Sequence, residues 1–528
     1  MQLAKNADSL VLLGYNALGQ INQENQNGAI VRHKYDLLGR RIYTETPDRN
    51  RIDYRFGERY LDSIEFDGQT LTSHRYDELG REIGRSQGQL NTDYDYDPLG
   101  RLLRQRAALK GQAAVIGRQY NYDAAGKLRE LDDLRQGRSQ YHYDPAARLI
   151  RSEGLSPESF VHDPAGNLLG ASAEGGRIEG DRLLMMGDRH YAYDAAGNLI
   201  EEKRGKAGQI VTRYQYDSDN RLIRAETPQG SSEYRYDALG RRIAKHTAQG
   251  ETRFQYDGPR LLAETDSQRS RTYLFEPGSF RPLALHEQDN VQASSATYHY
   301  HLDHLGTPRE LTDSDGKIVW SARYRAYGNL ALADVQEIDN PLRFQGQYFD
   351  AETGLHYNLN RYYDPNAGRF IHQDPIGLEG GTNVYRYAPN PVNWIDPLGL
   401  TCDEGTTPAK PKGRTGPKGV DPDHHNANVM VRDASGDVIS HERIVSGNMT
   451  PTEKALGFPK NTLASHTEAR AVTNTALKQG DTMTITGQRP PCPSCKGYMN
   501  RAAEETGATI RYQWRDNGQT QRWTAGGD

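Results

Sequence analysis

A repeat of about twenty residues is the feature that most constrains how this chain can fold. Tyr-Asp pairs followed by a short turn with Leu-Gly-Arg recur at Tyr35, Tyr76, Tyr96 and Tyr236, with a variant at Tyr15. Further copies begin at Tyr122, Tyr143, Tyr193, Tyr216 and Tyr256. A unit this short cannot bury a hydrophobic face alone, so neighbouring copies must stack into one continuous body.

Each repeat is predicted to be one β-hairpin. In each unit an alternating strand such as 94–96 or 234–236 precedes an Asp/Gly turn, and a second strand follows that turn, as 241–247 follows 234–236. Asp supplies a side-chain hydrogen bond to the turn backbone, and Gly supplies the positive φ that the turn needs. The alternative, a disordered low-complexity tract, fits poorly because the strands carry regular aromatic and aliphatic positions.

The composition favours β structure whose apolar area is buried locally, in many small patches. Hydrophobic residues are only 35% of the chain, and Tyr (32) outnumbers Phe (10) and Trp (4). An aromatic ring with a polar tip suits a half-exposed sheet face. A single large three-layer core is therefore not expected.

Charge and cysteine content exclude several classes of protein. The net charge of −5 gives no global basic field for a polynucleotide, so nucleic-acid binding would have to be local. We expect no membrane segment and no Sec signal, because no apolar run is long enough. The chain has three cysteines, Cys402, Cys492 and Cys495, which favours a metal or catalytic site over a disulfide framework.

The Tyr-Asp repeats of residues 10–400 resemble the YD repeats of the Rhs family of bacterial polymorphic toxins. The resemblance implies an all-β YD-repeat shell, a spiralling β-hairpin sheet with a cocoon-like form around a C-terminal toxic domain. We divide the chain into a repeat shell at 1–295, a core-closing segment at 296–400, a linker at 401–420 and a toxin domain at 421–528.

The core-closing segment ends in PVNWIDPLGL, which resembles the PxxxxDPxGL signature that closes Rhs cores. The resemblance implies self-cleavage of the Leu400-Thr401 bond by an aspartyl-protease-like reaction, with Asp374 and Asp396 as the acid pair and Arg361 as their charge partner. Two close carboxylates can share a proton, so that one activates water and the other protonates the leaving group. The alternative is that both Asp-Pro-x-Gly-Leu segments only form turns.

After Leu400 the composition changes. Residues 401–420 are rich in Gly, Pro, Thr and Lys, which is typical of an exposed linker. From about residue 421 the pattern predicts the order β-β-α-β-α-β-β, with Asn517-Gly518 as the turn of the last hairpin. This order favours a small α/β domain with a three-layer arrangement.

A metal signature stands at the two predicted helix starts. His466 and Glu468 begin the first helix, and Cys492 and Cys495 begin the second. A His and two thiolates leave one zinc position for water, the arrangement of a catalytic site, and Glu468 can carry protons. The order H-x-E…P-C-x-x-C is the signature of zinc-dependent nucleobase deaminases. A redox Cys pair and half of a zinc ribbon are the alternatives.

Residues 421–528 resemble the cytidine deaminase-like superfamily, and in particular the deaminase toxins carried at the C-termini of Rhs proteins. The antiparallel final strands resemble the cytidine-deaminase branch, which favours cytosine as the target. The chain has TGQRP where nucleic-acid-editing relatives have an aromatic-rich stretch before PCxxC, so base-gating residues are not transferred.

Candidate substrate contacts come from polar, basic and aromatic residues of the C-terminal domain. Aromatic faces stack bases and basic side chains pair with phosphates, which favours a single-stranded substrate. For the two aromatic candidates the alternative is a place in the sheet core, and for the Asn candidate a solvated loop. The candidates are Asn426, Lys496, Arg501, Tyr512 and Trp514.

Together these features predict an Rhs-type antibacterial toxin whose C-terminal domain is a zinc-dependent cytosine deaminase, a hydrolase of C–N bonds in cyclic amidines. Single-stranded DNA is the favoured substrate, and RNA, duplex DNA and free nucleosides remain alternatives. A structural YD-repeat surface protein with a non-catalytic tail is the rival from another class. The resemblance further implies a cognate immunity protein, contact with a secretion apparatus of type VI or a similar kind, and action in the target-cell cytoplasm.

Overall fold

The computed structural model describes residues 2–400, 403–404, 426–445, 471–472, 477–487, 493–516 and 519–525. The chain divides into two units, Met1–Pro411 and Lys412–Asp528, which we call the YD unit and the C-terminal unit.

The described part of the YD unit contains two sixteen-stranded antiparallel sheets in which every strand pairs with the next one along the chain. Strands β1 to β16 of the first sheet are Gln2–Lys5, Leu10–Tyr15, Ile21–Gln26, Ala29–Tyr35, Arg41–Glu45, Arg51–Phe56, Leu61–Phe66, Gln69–Tyr76, Glu82–Gln87, Leu90–Tyr96, Leu102–Leu109, Ala114–Tyr122, Leu128–Asp133, Gly137–Tyr143, Leu149–Glu153 and Glu158–Ser159. A two-stranded sheet follows, with β17 at Val161–His162 and β18 at Leu168–Gly170.

Strands β19 to β34 of the second large sheet are Gly176–Glu179, Arg182–Met186, Arg189–Tyr193, Leu199–Arg204, Ile210–Tyr216, Leu222–Thr227, Gly230–Tyr236, Arg242–Thr247, Gly250–Asp257, Arg260–Thr265, Arg269–Phe275, Pro282–Asp289, Ser294–Leu302, Pro308–Thr312, Ile318–Tyr324 and Leu330–Gln336. Short 3-10 turns lie at Ala173–Gly175, Lys206–Gly208 and Gly377–Gly380.

The Tyr-Asp repeat explains how successive hairpins are joined. In the repeat at Asp97, carboxylate oxygen Oδ1 accepts the backbone N–H groups of Leu99 and Arg101, each at 2.9 Å, and Oδ2 accepts Nε of Arg101 at 2.6 Å. Gly100 takes the positive φ of 83° that closes the turn. The guanidinium of Arg101 then lies 4.8 Å from the ring centre of Tyr122 in the next repeat.

The tyrosine hydroxyls also connect neighbouring repeats through hydrogen bonds. Tyr122 donates a 2.9 Å hydrogen bond to the carbonyl of Leu102, directly after that arginine. The same bond, to a carbonyl 14 to 20 residues earlier, recurs at Tyr35, Tyr96, Tyr143, Tyr216, Tyr236 and Tyr256. Each of these repeats is thus fixed to its neighbour by its Tyr hydroxyl, and at the Asp97 turn by an Asp and an Arg as well, and the predicted array of stacked hairpins is confirmed.

The two large sheets contact one another through buried polar groups as well as apolar ones. Arg118 of β12 is fully buried and pairs with Asp133 at 2.8 Å and with Glu310 of β32. Gln87 of β9 donates to the carbonyl of Leu283 at 3.1 Å. Buried charges need such partners, since an unpaired one would cost several kcal/mol, in the range of about 3 to 5.

The end of the YD unit folds differently. A four-stranded sheet comprises β35 at Tyr348–Asp350, β36 at Leu355–Asn358, β37 at Arg361–Asp364 and β38 at Arg369–Phe370. Strand β39 at Trp394–Ile395 then pairs antiparallel with β40 at Asp403–Glu404.

The C-terminal unit has one five-stranded sheet in the order β42-β41-β43-β44-β45. Its elements are β41 Asn426–Arg432, β42 Val438–Val445, β43 Thr482–Gly487, helix α1 Pro493–Thr506, β44 Thr509–Asp516 and β45 Gln519–Thr524. The β43 and β44 strands are parallel and α1 connects them, whereas the other neighbouring pairs are antiparallel. The prediction of a β-repeat body followed by a small α/β domain is confirmed.

Two predicted features of this unit lie partly or wholly beyond the described residues. Of the first predicted helix only Ala471 and Val472 are described, and both are helical. The Asn517-Gly518 turn is outside the described part, but Asp516 pairs with Gln519 on either side of it. The last two strands are therefore antiparallel, as the sequence predicted.

Candidate functional site

The structure brings together the three residues that the sequence singled out for self-cleavage. Arg361 begins strand β37, Asp374 follows β38, and Asp396 follows β39. Nη2 of Arg361 lies 3.0 Å from Oδ2 of Asp374 and 3.2 Å from Oδ2 of Asp396. One guanidinium nitrogen therefore bridges two carboxylates that are 22 residues apart in the chain.

All three side chains are buried. Arg361 is 1%, Asp374 7% and Asp396 0% exposed. Burial raises the pKa of Asp374 above its ordinary value, with Arg361 acting in the opposite direction. Burial likewise raises the pKa of Asp396, again opposed by Arg361 and helped by the nearby charge of Asp374. The pair can therefore retain a proton at a pH where isolated aspartates are ionised.

Leu400, whose peptide bond was predicted to break, lies against both acids. Its backbone N–H donates a 2.9 Å hydrogen bond to Oδ1 of Asp396. A methyl group built on Gly380 would stand 2.7 Å from the carbonyl oxygen of Leu400 and would also collide with Oδ2 of Asp374. The Asp374 carboxyl and the Leu400 carbonyl are thus close neighbours across a glycine.

The predicted scissile bond lies in the connection between two paired strands. Trp394 pairs with Glu404 and Ile395 with Asp403, so the intervening chain turns back on itself. Thr401 and Cys402 are outside the described residues. The part of the turn that is described, 396–400, carries the acid Asp396 and the residue it holds.

Sequence reasoning missed several residues that contact this turn. Nδ2 of Asn358 donates to the carbonyl of Asp396 at 2.8 Å, and Nδ2 of Asn360 donates to that of Leu398 at 2.9 Å. The hydroxyl of Tyr387 accepts the N–H of Asp396 at 3.3 Å. The Asn-Leu-Asn run directly before Arg361, the predicted charge partner, was the available signal.

In the C-terminal unit, most of the predicted metal site lies outside the described residues. His466, Glu468 and Cys492 are among the residues that the structure does not describe. Cys495 lies in the first turn of α1, the helix that connects the two parallel strands. Among the described residues no cluster of three His, Cys, Asp or Glu side chains is suited to a metal.

The predicted substrate contacts fall into different environments. Lys496, next to Cys495, places its ammonium 5.8 Å from the ring centre of Trp523 on β45. Arg501 is exposed on α1, and Asn426 begins β41. Tyr512 is fully buried in the sheet core and Trp514 packs against that core, half buried. The core alternative therefore applies to Tyr512, because a ring with no exposed face cannot stack on a base.

No helix in the described part of the chain is long and apolar enough to cross a membrane.

Comparison with known proteins identifies the YD unit. Residues 111–393, more than half of the chain, match the family described as teneurin YD-shell. The chain belongs to the YD-shell family. Residues 418–528 match a second family, described as Pput2613-like deaminase. The YD-shell therefore precedes a domain of deaminase type, and the resemblances of the repeats to an Rhs YD-shell and of the C-terminal domain to a deaminase are confirmed.

Individual relatives agree with this assignment. The chain is 37% identical over 427 residues to double-stranded DNA deaminase toxin A of Burkholderia cenocepacia, a match covering 73% of this chain and 30% of that protein. It is 32% identical over 482 residues to toxin protein Tse5 of Pseudomonas aeruginosa, covering 75% of this chain and 36% of that protein. The chain thus spans about a third of the length of these curated relatives.

A solved structure shares the fold of the YD-shell. The crystal structure of TcdB2-TccC3 without its hypervariable C-terminal region matches with a TM-score of 0.57 at 18% sequence identity, over 76% of this chain and 24% of that one. At this level of identity the similarity concerns the fold alone.

Proposed function

We propose that this protein is an Rhs-type antibacterial toxin in which a YD-shell carries a zinc-dependent cytosine deaminase at residues 421–528. The observation that carries the proposal is the match of 418–528 to a deaminase family, on the same residues that hold the H-x-E…P-C-x-x-C order. The antiparallel pairing of β44 with β45 further favours the cytidine-deaminase branch.

The donor set fits zinc. One imidazole and two thiolates, from His466, Cys492 and Cys495, are the ligand types of a catalytic zinc site with one open position. The position of Cys495 in the first turn of α1 supports this, since a helix N-terminus lowers the pKa of a thiol. When bound there, zinc supplies a Lewis acid that makes a water molecule nucleophilic near neutral pH.

Glu468 is the proton carrier of the proposed reaction. It accepts a proton from the attacking water, whose oxygen adds to C4 of cytosine, and delivers this proton to the ring nitrogen N3. It then takes the proton of the new C4 hydroxyl and delivers it to the departing amino group, which leaves a C4 carbonyl. The C4–N4 bond breaks, so that cytosine and water become uracil and ammonia.

The proposed substrate is cytosine in DNA, with a single strand favoured because the reacting base must be unpaired. Lys496 and Trp523 support a nucleic-acid contact, since Lys496 follows Cys495 in the sequence and its ammonium lies 5.8 Å from the ring centre of Trp523 on β45. The name of the Burkholderia relative, a double-stranded DNA deaminase toxin, makes duplex DNA the foremost alternative. Burial of Tyr512 removes one of the predicted stacking rings.

Sequencing of nucleic acids from cells expressing the full chain tests this proposal. In cells lacking uracil repair we expect C-to-T changes in DNA, and none with the matched variant Glu468→Ala. Single- and double-stranded oligonucleotides containing cytosine then distinguish the two forms of DNA. A-to-I changes confined to RNA, or unmodified DNA and RNA, would contradict the proposal.

We further propose that the YD unit releases residues 401–528 by self-cleavage. Water adds to the carbonyl carbon of Leu400 and gives one proton to the ionised member of the Asp374–Asp396 pair. The protonated member donates to the nitrogen of Thr401, and the C–N bond breaks to leave a Leu400 carboxyl and a Thr401 amine. The Arg361 bridge between the acids and the hydrogen bond from Leu400 to Asp396 support this reaction.

Expression of the full chain tests release. We expect fragments 1–400 and 401–528, with Thr401 at the new N-terminus, and full-length chain from Asp374→Asn. A variant that still separates, or an N-terminus elsewhere, would show that this acid pair does not cleave the chain.

Delivery and partners follow from the same proposal. An immunity protein that covers the deaminase site, contact with a type VI or similar secretion apparatus, and action in the target-cell cytoplasm suit a toxin of this kind. The rival hypotheses, a structural surface protein and a redox tail using Cys492 and Cys495, both predict that the chain binds no zinc through His466.

A further inference from the structure

The segment 396–400 is held by a cradle of side chains that bind its backbone. Nδ2 of Asn358 donates to the carbonyl of Asp396 at 2.8 Å, and Nδ2 of Asn360 donates to the carbonyl of Leu398 at 2.9 Å. Nε of Arg361 donates to the carbonyl of Gly399 at 2.6 Å. Three donors from one short stretch, residues 358–361 where β36 connects to β37, thus fix three carbonyls of the segment.

Two glycines allow the segment to approach the sheet closely. A Cβ on Gly346 would overlap the carbonyl oxygen of Pro397. A Cβ on Gly380 would stand 2.7 Å from the carbonyl oxygen of Leu400 and would collide with Oδ2 of Asp374. Any side chain at Gly380 would therefore separate the acid from the carbonyl beside it.

The segment itself carries a matching glycine. Gly399 has a φ of 65°, and a Cβ there would lie 2.5 Å from the carbonyl oxygen of Asn358. Two residues of its DPLGL sequence thus have separate physical roles: Asp396 supplies an acid, and Gly399 allows close contact with the cradle.

We propose that Asn358, Asn360 and Gly380 are positioning residues that hold the backbone of 396–400 so that the Leu400 carbonyl faces the acid pair. This inference rests on the proposed self-cleavage. Because the cradle binds backbone carbonyls, it fixes the chain on the N-terminal side of the Leu400-Thr401 bond whatever most side chains of the segment 396–400 are. A displacement of about 1 Å at a reacting group can cost about a hundredfold in rate.

Two substitutions test the cradle with little change in volume. Asn360→Asp replaces the amide donor by an acceptor that repels the Leu398 carbonyl, and Asn360 is only half buried. Gly380→Ala inserts a methyl group between Asp374 and Leu400. Gly117→Ala is the matched control, since its Cβ would make only an ordinary contact, 3.5 Å from Leu134, and its φ is not positive.

The first measurement is the rate of appearance of fragment 1–400 after cell-free synthesis of the full chain. We expect Asn360→Asp and Gly380→Ala to slow cleavage at least about tenfold, and Gly117→Ala to cleave at the parent rate. The pH profile is compared in Asn360→Ala, which removes the amide donor without adding a charge, and its shape should stay that of the parent because the charges around the acids are unchanged. A shifted profile would mean that the shell had loosened around the acids, which overturns a positioning role.

The second measurement does not need cleavage. In an Asp374→Asn background, hydrogen exchange of peptides covering 396–400 reports whether the segment is held. We expect protection there, lost on adding Asn360→Asp and kept on adding Gly117→Ala, with the peptides of β1 to β16 unchanged in all three. Equal protection with and without Asn360→Asp would overturn the inference.

The outcomes separate the two proposals. Cleavage that persists in Asp374→Asn refutes the acid pair but leaves the exchange result to decide on the cradle. Cleavage that stops in Asp374→Asn but runs at the parent rate in both cradle variants refutes the cradle alone.

Discussion

The backbone N–H of Leu400 donates a 2.9 Å hydrogen bond to Oδ1 of Asp396, four residues earlier. This bond ties one of the two buried acids to the residue on the N-terminal side of the proposed scissile bond. The other carboxylate oxygen of Asp396 faces Nη2 of Arg361, which also binds Asp374. The acid is thus both a part of the turn and a part of the proposed catalytic pair.

The substitution Asp396→Asn separates the role of this side chain in the turn from its role in proton transfer. The Asn side-chain oxygen can still accept the Leu400 N–H, so the turn should form, but no carboxyl remains to transfer a proton. We expect cleavage to fall at least about a hundredfold, the usual size of a general acid–base contribution. Quantifying full-length chain by gel and mass spectrometry measures it. Asp123→Asn, on a repeat turn far along the chain, is the control and should cleave normally.

The pH dependence of cleavage follows from the direction of the pKa shifts. Burial raises the pKa of both Asp374 and Asp396, so the pair keeps its shared proton above the ordinary aspartate value of about 3.9. Increasing pH removes that proton, and we therefore expect the cleavage rate to decrease as pH rises through the raised value. Rates of freshly synthesised chain in buffers from about pH 5 to 9 test this. A rate that is flat or increases across this range would contradict a shared-proton mechanism.

The zinc content of purified variants should distinguish the proposed ligand His466 from the proposed proton carrier Glu468. We expect purified full-length chain carrying Asp374→Asn to hold about one zinc per molecule, and His466→Ala to hold less than about half, since a site left with two thiolates binds weakly. Glu468→Ala should keep its zinc and lose deaminase activity. Elemental analysis together with a deamination assay measures both. Zinc that is unaffected by His466→Ala would favour a site built only from cysteines.

The hydroxyl hydrogen bonds of the repeat tyrosines should contribute more to the free energy of unfolding where the tyrosine is buried than where it is exposed. Tyr236 is 5% exposed, and its hydroxyl lies 2.6 Å from the carbonyl of Leu222 and 3.0 Å from the hydroxyl of Tyr362. Tyr236→Phe leaves both partners short of a hydrogen bond, so we expect it to lower the free energy of unfolding by about 1 to 3 kcal/mol.

Tyr15→Phe is the matched control. Its hydroxyl contacts the side chain of Gln2 in an exposed setting, so the change should stay within about 0.5 kcal/mol. Denaturant unfolding followed by circular dichroism compares the two variants. Equal effects would mean that the hydroxyl bonds between repeats do not contribute to the stability of the shell.

Local sequence was sufficient to predict the repeats, and the metal signature that it contains stays a prediction. Asp97, Gly100 and Arg101 act within one turn, and Tyr122 contacts the next hairpin, so the pattern is readable wherever it recurs. The final hairpin was likewise predictable, because a two-residue Asn-Gly connection forces antiparallel strands. The H-x-E…P-C-x-x-C order identifies a type of chemistry by its spacing alone.

Only the tertiary structure decided which side chains hold the segment 396–400. The Asn-Leu-Asn run before Arg361 marks two polar side chains, but the roles of Asn358, Asn360 and Gly380 depend on a carbonyl or carboxylate brought to them by a different part of the chain. The same holds for Tyr512, whose alternation with Trp514 suited either a stacking surface or a core. Sequence encodes interactions within a hairpin because both partners lie in one short segment, whereas burial and contacts between distant segments exist only after the sheets have packed.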